Sequence, residues 1–454
     1  MSASETLVRP LSGRVRVHVG ELLRLAAPVI VSRAGLMVMM AVDTAIVGRF
    51  SAHELALFGL AHLPNNVMIG TGVGLLLGTV AMTAHALGAG EDRECGRVLR
   101  RSLPYALVLG LLMAVVSLFG EPLLLLSGQT PELAEGGGKV MAVLGLGMPG
   151  MMLYVAAGFF LEGLQRPLPV MVAMIGGNLL NGVLAWALVW GGFGLPAMGA
   201  LGSAMATSAV RWAMGLGLLV VIWRMPDHAR WGIRRNTRKG WRAWARQRTL
   251  GYAAGLSIGV ESTAFAALGF IAGMLSPLAL GAYMVGLNLI AVPFMAAVGL
   301  GSATAVRVGI AYGRRDAREM ALAGWTGLAV TSAILAVVGV VYRWFPEAAA
   351  GIYTSDPELL ERVVPLVSFG AWILVADGGQ AVMGNALRGR NDAWVPTVLH
   401  FVSYAIVMIP VSAWLAVGLG RGEHGLFEGI LVASVVSVSI LSARFAWLGR
   451  RPGS

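Results

Sequence analysis

The feature that most constrains this chain is a stretch of about twenty or more apolar residues, almost free of charge, that recurs twelve times. A helix rises 1.5 Å per residue, so about 20 apolar residues cross the ~30 Å hydrocarbon layer of a bilayer. The stretches lie near 22–48, 55–87, 103–126, 139–164, 168–191, 196–224, 250–275, 279–312, 320–345, 361–387, 393–418 and 424–448, numbered here as spans 1 to 12. Only 13% of the residues are charged, about half the fraction a soluble domain carries. The mean hydropathy is +0.75. A water-facing surface for 454 residues cannot be assembled from so few charges. The expected fold is therefore an all-α polytopic membrane protein with twelve transmembrane helices. Prolines inside the spans, Pro28, Pro149, Pro293 and Pro410, mark places where a helix can kink.

The charges that remain report orientation. The formal net charge is +11, which in a soluble protein would point to nucleic acid. Here the basic residues alternate sides. Loops on one side, with both chain ends and residues 225–249, collect 26 of the 34 Lys and Arg. The opposite side holds only Arg49, Lys139, Arg343, Arg362 and Arg421. The positive-inside rule then places the termini and the long basic loop in the cytoplasm, with the chain in the cytoplasmic (inner) membrane. No loop is long enough to present a nucleic-acid-binding domain, so no nucleic-acid partner is expected. Arg33, Arg211 and Arg307 are left within or at the edge of spans. The single cysteine, Cys95, carries no disulfide information, and no cleavable signal peptide is expected. The seven histidines show no ligand spacing, so an enzyme with a metal centre is not expected.

The basic loop also divides the chain into halves. At an offset of 225, residues 48–88 align with 273–313 without a gap, matching Gly48 with Gly273, Ser51 with Ser276, Gly74-Leu75 with Gly299-Leu300, and Thr79 with Thr304. At a slightly shifted offset, Phe160-Leu161-Glu162-Gly163 resembles Ala386-Leu387-Arg388-Gly389. The organisation expected is a segment 1–19, a six-helix lobe 20–225, a basic linker 226–249, a second six-helix lobe 250–449 and a tail 450–454. Six spans per repeat give both halves one orientation, a build that in transporters puts the substrate between the halves near the bilayer midplane.

Four carboxylates lie inside spans: Asp43, Glu162, Glu261 and Asp377. A charge at the bilayer centre costs about 2.5–3.5 kcal/mol on insertion scales, so such residues line ion paths or meet a structural partner. Arg33 and Arg211 are candidate partners. Glu162 has Arg166 one helical turn away and reads as structural. Glu261 and Asp377 sit at mid-depth with no basic residue within a turn, and together suggest one coupling-ion site in the second half. Asp43 is undecided on position alone. Among in-span amides, Asn178, Asn181, Asn288 and Gln380 suit interhelical glue, with Asn181 a cavity candidate. Phe265, one turn after Glu261, could stack on a cation.

With these residues in place, the sequence resembles the MATE (multidrug and toxic compound extrusion) family, NorM-type branch. The segments 42–48 (VDTAIVG), 158–163 (GFFLEG), 261–265 (ESTAF) and 376–392 (ADGGQAVMGNALRGRND) are similar to its motifs in spans 1, 4, 7 and 10, and Asn181 stands at its span-5 asparagine. The resemblance implies two six-helix lobes and a secondary antiporter, not an enzyme, working as a monomer without a cofactor. It would export amphipathic organic cations and drugs in exchange for Na⁺ or H⁺. It implies Glu261 and Asp377 as the ligands of the coupling cation, and Asp43, Asn181, Phe265 and Gln380 as substrate or cavity residues. One departure is Ala185, where other members carry an acid four residues after the asparagine; this favours coupling in the second half. A lipid-linked saccharide flippase of related fold is the alternative. It would want a cationic central cavity, for which only Arg33, Arg211 and Arg307 are available.

Overall fold

A computed structural model of the protein describes residues 11–194, 196–234 and 244–450. Among the described residues eleven helices are long and apolar enough to cross a membrane, and a bent pair supplies a twelfth. They fall on the twelve apolar stretches. Span 1 is Val17–Phe50, span 2 Ala52–Gly88, span 7 Ala245–Leu275, span 8 Pro277–Gly313, span 10 Pro357–Gly389 and span 12 Gly422–Gly449. The chain is thus an all-α, multi-pass membrane protein. The segments 1–10, 235–243 and 451–454, which include most of the expected N-terminal segment, part of the linker and most of the tail, lie outside the described residues.

The prolines act unequally. Span 4 is the bent pair, Pro131–Leu146 and Met148–Gly163, which turn by 41° where Gly147 precedes Met148 and Pro149. Pro410 lies between two π-helical stretches of span 11, Val402–Met408 and Trp414–Gly418. A proline removes one i to i−4 hydrogen bond, and a wider turn on either side absorbs the misfit. Pro28 and Pro293 sit inside unbroken helices.

Several residues that the repeat matched now have a physical reason. Ser51 and Ser276 both cap the following helix, accepting from the backbone N–H of Glu54 at 3.5 Å and of Ala279 at 2.9 Å. Each satisfies one of the orphan donors at a helix start.

The division into compact units does not follow the basic linker. One unit is Val31–Gly255; the other joins the chain up to Ile30 with Leu256 onwards. The boundaries fall inside spans 1 and 7, so each of these helices contributes its first half to the unit of the opposite sequence half. Close glycine contacts explain both crossings, and they obey the 225 offset. A Cβ on Gly74 would stand 2.6 Å from the Cα of Gly255, and one on Gly299 would stand 2.9 Å from the backbone N of Ile30. Only a residue without a side chain permits such approach, the usual device for helix packing in lipid. Leu22 and Ala26 of span 1 complete the crossing by packing on Leu300, Ala303 and Val382. On the other side Gln247 of span 7 donates to Ser102 Oγ at 2.7 Å.

Each unit has its own apolar core. In the first, Val47, Phe58, Met141 and Leu144 are buried together. In the second, Tyr283, Leu366, Phe427 and Ile430 are buried in one cluster, with the rings of Tyr283 and Phe427 edge to face at 6.1 Å.

Candidate functional site

The second unit gathers polar side chains from spans 7, 10, 11 and 12 inside this apolar core. Asp377 is 5% exposed, and three donors converge on its Oδ1. Gln380, one turn later, donates from Nε2 at 3.3 Å. Tyr404 of span 11 donates its hydroxyl at 3.1 Å, and Ser434 of span 12 donates at 3.2 Å. Glu261, half-buried on span 7, is near enough for its charge and that of Asp377 to act on each other, and Tyr404 and Gln380 also face its carboxyl. The two mid-span acids, 116 residues apart in sequence, are therefore brought into one group. Phe265 joins its edge: its ring lies 6.0 Å from the Tyr404 ring, and its carbonyl accepts from the Tyr283 hydroxyl at 2.8 Å. Two carboxylates in one apolar setting repel each other, so a cation arriving there is favoured by both. Carboxylate, hydroxyl and amide oxygens suit a hard cation.

The first unit holds a second polar group around Asp43, which is 1% exposed. Asn181 Nδ2 donates to Oδ1 at 2.7 Å and Thr207 Oγ1 donates to Oδ2 at 2.9 Å. Ser203 and the charge of Arg211 also act on the carboxyl. Arg211 is itself buried and donates to the Leu144 carbonyl at 3.3 Å. Both oxygens of Asp43 are thus satisfied from spans 5 and 6. Ala185, fully buried, adds no second acid. Asn178 ties span 5 to span 1 through the Gly35 carbonyl at 3.1 Å, and Asn288 bonds only the carbonyl of Met284 on its own helix.

Two expectations change. Glu162 does not pair with Arg166. It pairs with Arg33 of span 1 at 3.2 Å, the guanidinium lying over the Phe159 ring at 5.1 Å. Arg166 instead reaches Asp227 with two bonds of 3.0 and 2.7 Å, because Gln165, at φ 61 in the left-handed region, turns the chain out of the helix between Glu162 and Arg166. Arg388, counted above among the loop arginines, is buried at 8% exposure. Its charge and that of Glu261 act on each other, so Glu261 does have a basic neighbour, from span 10.

Tyr404, Ser434, Thr207 and Arg388 escaped the sequence reading. A hydroxyl in an apolar run looks like any helix-packing residue, and nothing in the spacing shows which carboxylate it meets. Of the three arginines a flippase would need, Arg33 is paired with Glu162, Arg307 with Glu21 at 3.0 Å, and Arg211 is bonded to the Leu144 carbonyl within the field of the Asp43 charge.

Residues 28–187 and 253–414 match the MatE family model. The chain is 40% identical over 440 residues to a protein of Caulobacter vibrioides named "Probable multidrug resistance protein NorM", covering 97% of this chain and 93% of the relative. It is 32% identical to "Multidrug resistance protein PmpM" of Pseudomonas aeruginosa, covering 96% and 93%. The crystal structure of the eukaryotic MATE transporter AtDTX14 superposes with a TM-score of 0.86 at 20% identity, over 96% of this chain and 99% of that one; an outward-facing MATE family transporter gives 0.86 at 20%, over 96% and 97%. By fold and by relatedness, this chain belongs to the MATE family of membrane transporters, and to its NorM type.

Proposed function

We propose that the protein is a multidrug efflux antiporter that exports amphipathic organic cations across the cytoplasmic membrane in exchange for Na⁺ or H⁺. The reading is carried by one observation: Glu261 and Asp377 act on each other within a single buried group that Tyr404, Gln380 and Ser434 complete. The names of the relatives, multidrug resistance proteins, support the substrate class. In this reading the coupling cation binds Glu261 and Asp377. Asp43, Asn181, Phe265 and Gln380 serve the substrate or its cavity. The termini and the basic loop face the cytoplasm.

Binding the cation neutralises charge that lipid and apolar side chains make expensive. It therefore favours whichever arrangement of the helices holds both carboxylates close. Exchange follows only when cation and substrate prefer different arrangements, since equal affinity for both would shift nothing. Alternating access then moves the exported compound in one direction while the cation moves in the other.

The test is efflux of ethidium from proteoliposomes under separately imposed Na⁺ and H⁺ gradients. One gradient should drive efflux in the wild type, and Glu261→Gln or Asp377→Asn should abolish the gradient dependence while the protein remains monodisperse. Gradient-driven efflux that survives in both variants would remove these acids from the coupling site.

A further inference from the structure

We propose that Arg388 is a resident countercation for Glu261. Its guanidinium is stored on Ser257 one turn away, moves onto the Glu261 carboxylate when the coupling cation leaves, and returns to Ser257 when the cation binds. The proposal rests on the assignment of Glu261 as a ligand of the coupling cation, and it adds what holds that charge between visits of the ion.

Arg388 Nη2 donates to Ser257 Oγ at 3.1 Å, and the same hydroxyl meets His400 Nδ1 at 2.6 Å. Ser257 and Glu261 are four residues apart on span 7, so they share a face and lie about 5–6 Å apart at Cβ. Arg388 is thus parked one turn short of a carboxylate whose charge already acts on it. Its present bonding is poor for a buried cation. A guanidinium has five donors. Here a neutral hydroxyl takes one, and Nε, shut off from solvent, has no acceptor. A buried charge in that condition is driven towards a carboxylate.

Room for movement is built in. Gly384, one turn from Arg388 towards Gln380, leaves that face of span 10 without a side chain. A Cβ there would touch Arg388 Nη1 at 3.8 Å and His400 Nε2 at 3.6 Å. His400 Nε2 has no partner of its own; the ring is held through Nδ1, on Ser257, and against Tyr404, so its Nε2 edge leaves the gap open.

The other half of the chain supplies the closed form of the same device. The repeat sets Glu162 against Arg388, and Glu162 is joined directly to span 1 by Arg33 at 3.2 Å. In the second half the polarity is reversed, acid on span 7 and base on span 10, and the pair stands open with a serine between. A closed pair fixes two helices. An open one lets a third charge, the transported cation, compete with the arginine for the acid.

The test uses the full-length protein in ethidium-loaded proteoliposomes, with the driving cation varied as NaCl at fixed pH and as pH without sodium. If neither gradient drives wild-type efflux, the antiporter reading fails before this proposal is reached. Given driven efflux, Arg388→Gln removes the competitor. The half-saturating concentration of the driving cation should fall by about a hundredfold, the order expected for a unit charge a turn away at an effective dielectric of about 20. The maximal rate should fall as well, because the cation is no longer displaced. Arg388→Lys should stay near the wild type. Ser257→Ala removes the storage site, strengthens the competitor, and should raise the half-saturating concentration. A purely structural arginine would lower the rate without tightening the cation. The proposal is overturned if Arg388→Gln leaves half-saturation within about twofold of the wild type, or if lysine and glutamine behave alike. Where Arg388→Gln does not fold, Ser257→Ala decides alone: an unchanged or lower half-saturating concentration overturns it.

Discussion

Two arginine–carboxylate pairs of the first unit separate burial from proximity in sequence. Arg33 and Glu162 meet at 3.2 Å with side chains 13% and 3% exposed. Arg166 and Asp227 meet at 2.7 Å, the shorter contact, but are 45% and 26% exposed. Coulomb energy scales inversely with the effective dielectric, so the exposed pair gains little and is further screened by salt. Arg166→Ala should cost less than about 1 kcal/mol. Arg33→Ala takes the guanidinium from a buried carboxylate and should cost about 3–5 kcal/mol, with loss of the stacking on Phe159 within that figure. The double variant Arg33→Ala/Glu162→Ala should recover a large part, because the charge left behind is what hurts. Denaturant unfolding in mixed micelles, followed by tryptophan fluorescence, reads all three against the wild type. If Arg166→Ala destabilises as much as Arg33→Ala, the carboxylate's true partner is the one nearest in sequence, and the argument from burial fails.

Other expectations follow from the same contacts. Gly74→Ala and Gly299→Ala place a methyl against backbone and should each cost about 1–3 kcal/mol in the same unfolding assay. Gly217→Ala, with nothing within 4 Å of its Cβ, should be neutral or stabilise by up to about 1 kcal/mol. Tyr404→Phe deletes a hydroxyl that donates to Asp377 and so stabilises the cation-free carboxylate; it should lower the half-saturating concentration of the driving cation about tenfold in the efflux assay, the worth of one hydrogen bond to a charged group. Asp227 gives a pH dependence. Partial burial pushes its carboxyl up, but bonds from Arg166 and Trp231 and the guanidinium charge outweigh this and hold it below the usual carboxylate range. A lowered value means stability present above the unfolded value near 4 and lost as pH falls through the folded one. The amount is under about 1 kcal/mol because the pair is exposed. Asp227→Asn should flatten the acid limb of unfolding free energy against pH by that amount.

The sequence carried much of this fold because the bilayer makes a demand that hydropathy can answer. Every span needs its apolar length, and the helices sit where the apolar stretches stand. The repeat was legible for a similar reason: Ser51 and Ser276 do the same capping work, and Gly74 and Gly299 admit the same close neighbour. Less of the site could be read. Asp377 and Gln380 meet within one turn, a spacing visible in the sequence. Tyr404 and Ser434 reach Asp377 from 27 and 57 residues away, and their reach depends on how spans 11 and 12 are rotated, which apolar content does not record. Arg388 was misplaced because it follows an apolar run and precedes Arg390 and Asp392, the pattern of a loop. Its bond to Ser257 of span 7 was invisible, since hydropathy cannot tell which helix covers a residue.

The crossing of spans 1 and 7 sets the order in which the protein can be completed. When the ribosome has finished the sixth span, the face of span 2 at Gly74 and Gly78 is still uncovered, because its cover, Gln247 to Gly255, has not been made. Leu22 and Ala26, among the earliest residues inserted, wait longer still, for Leu300 and then Val382. Neither half can therefore mature as an independent folding intermediate. The oldest part of the chain is among the last to be packed, and a nascent chain stalled in the basic linker would present to its lipid neighbours a glycine-lined groove that no residue yet translated can fill.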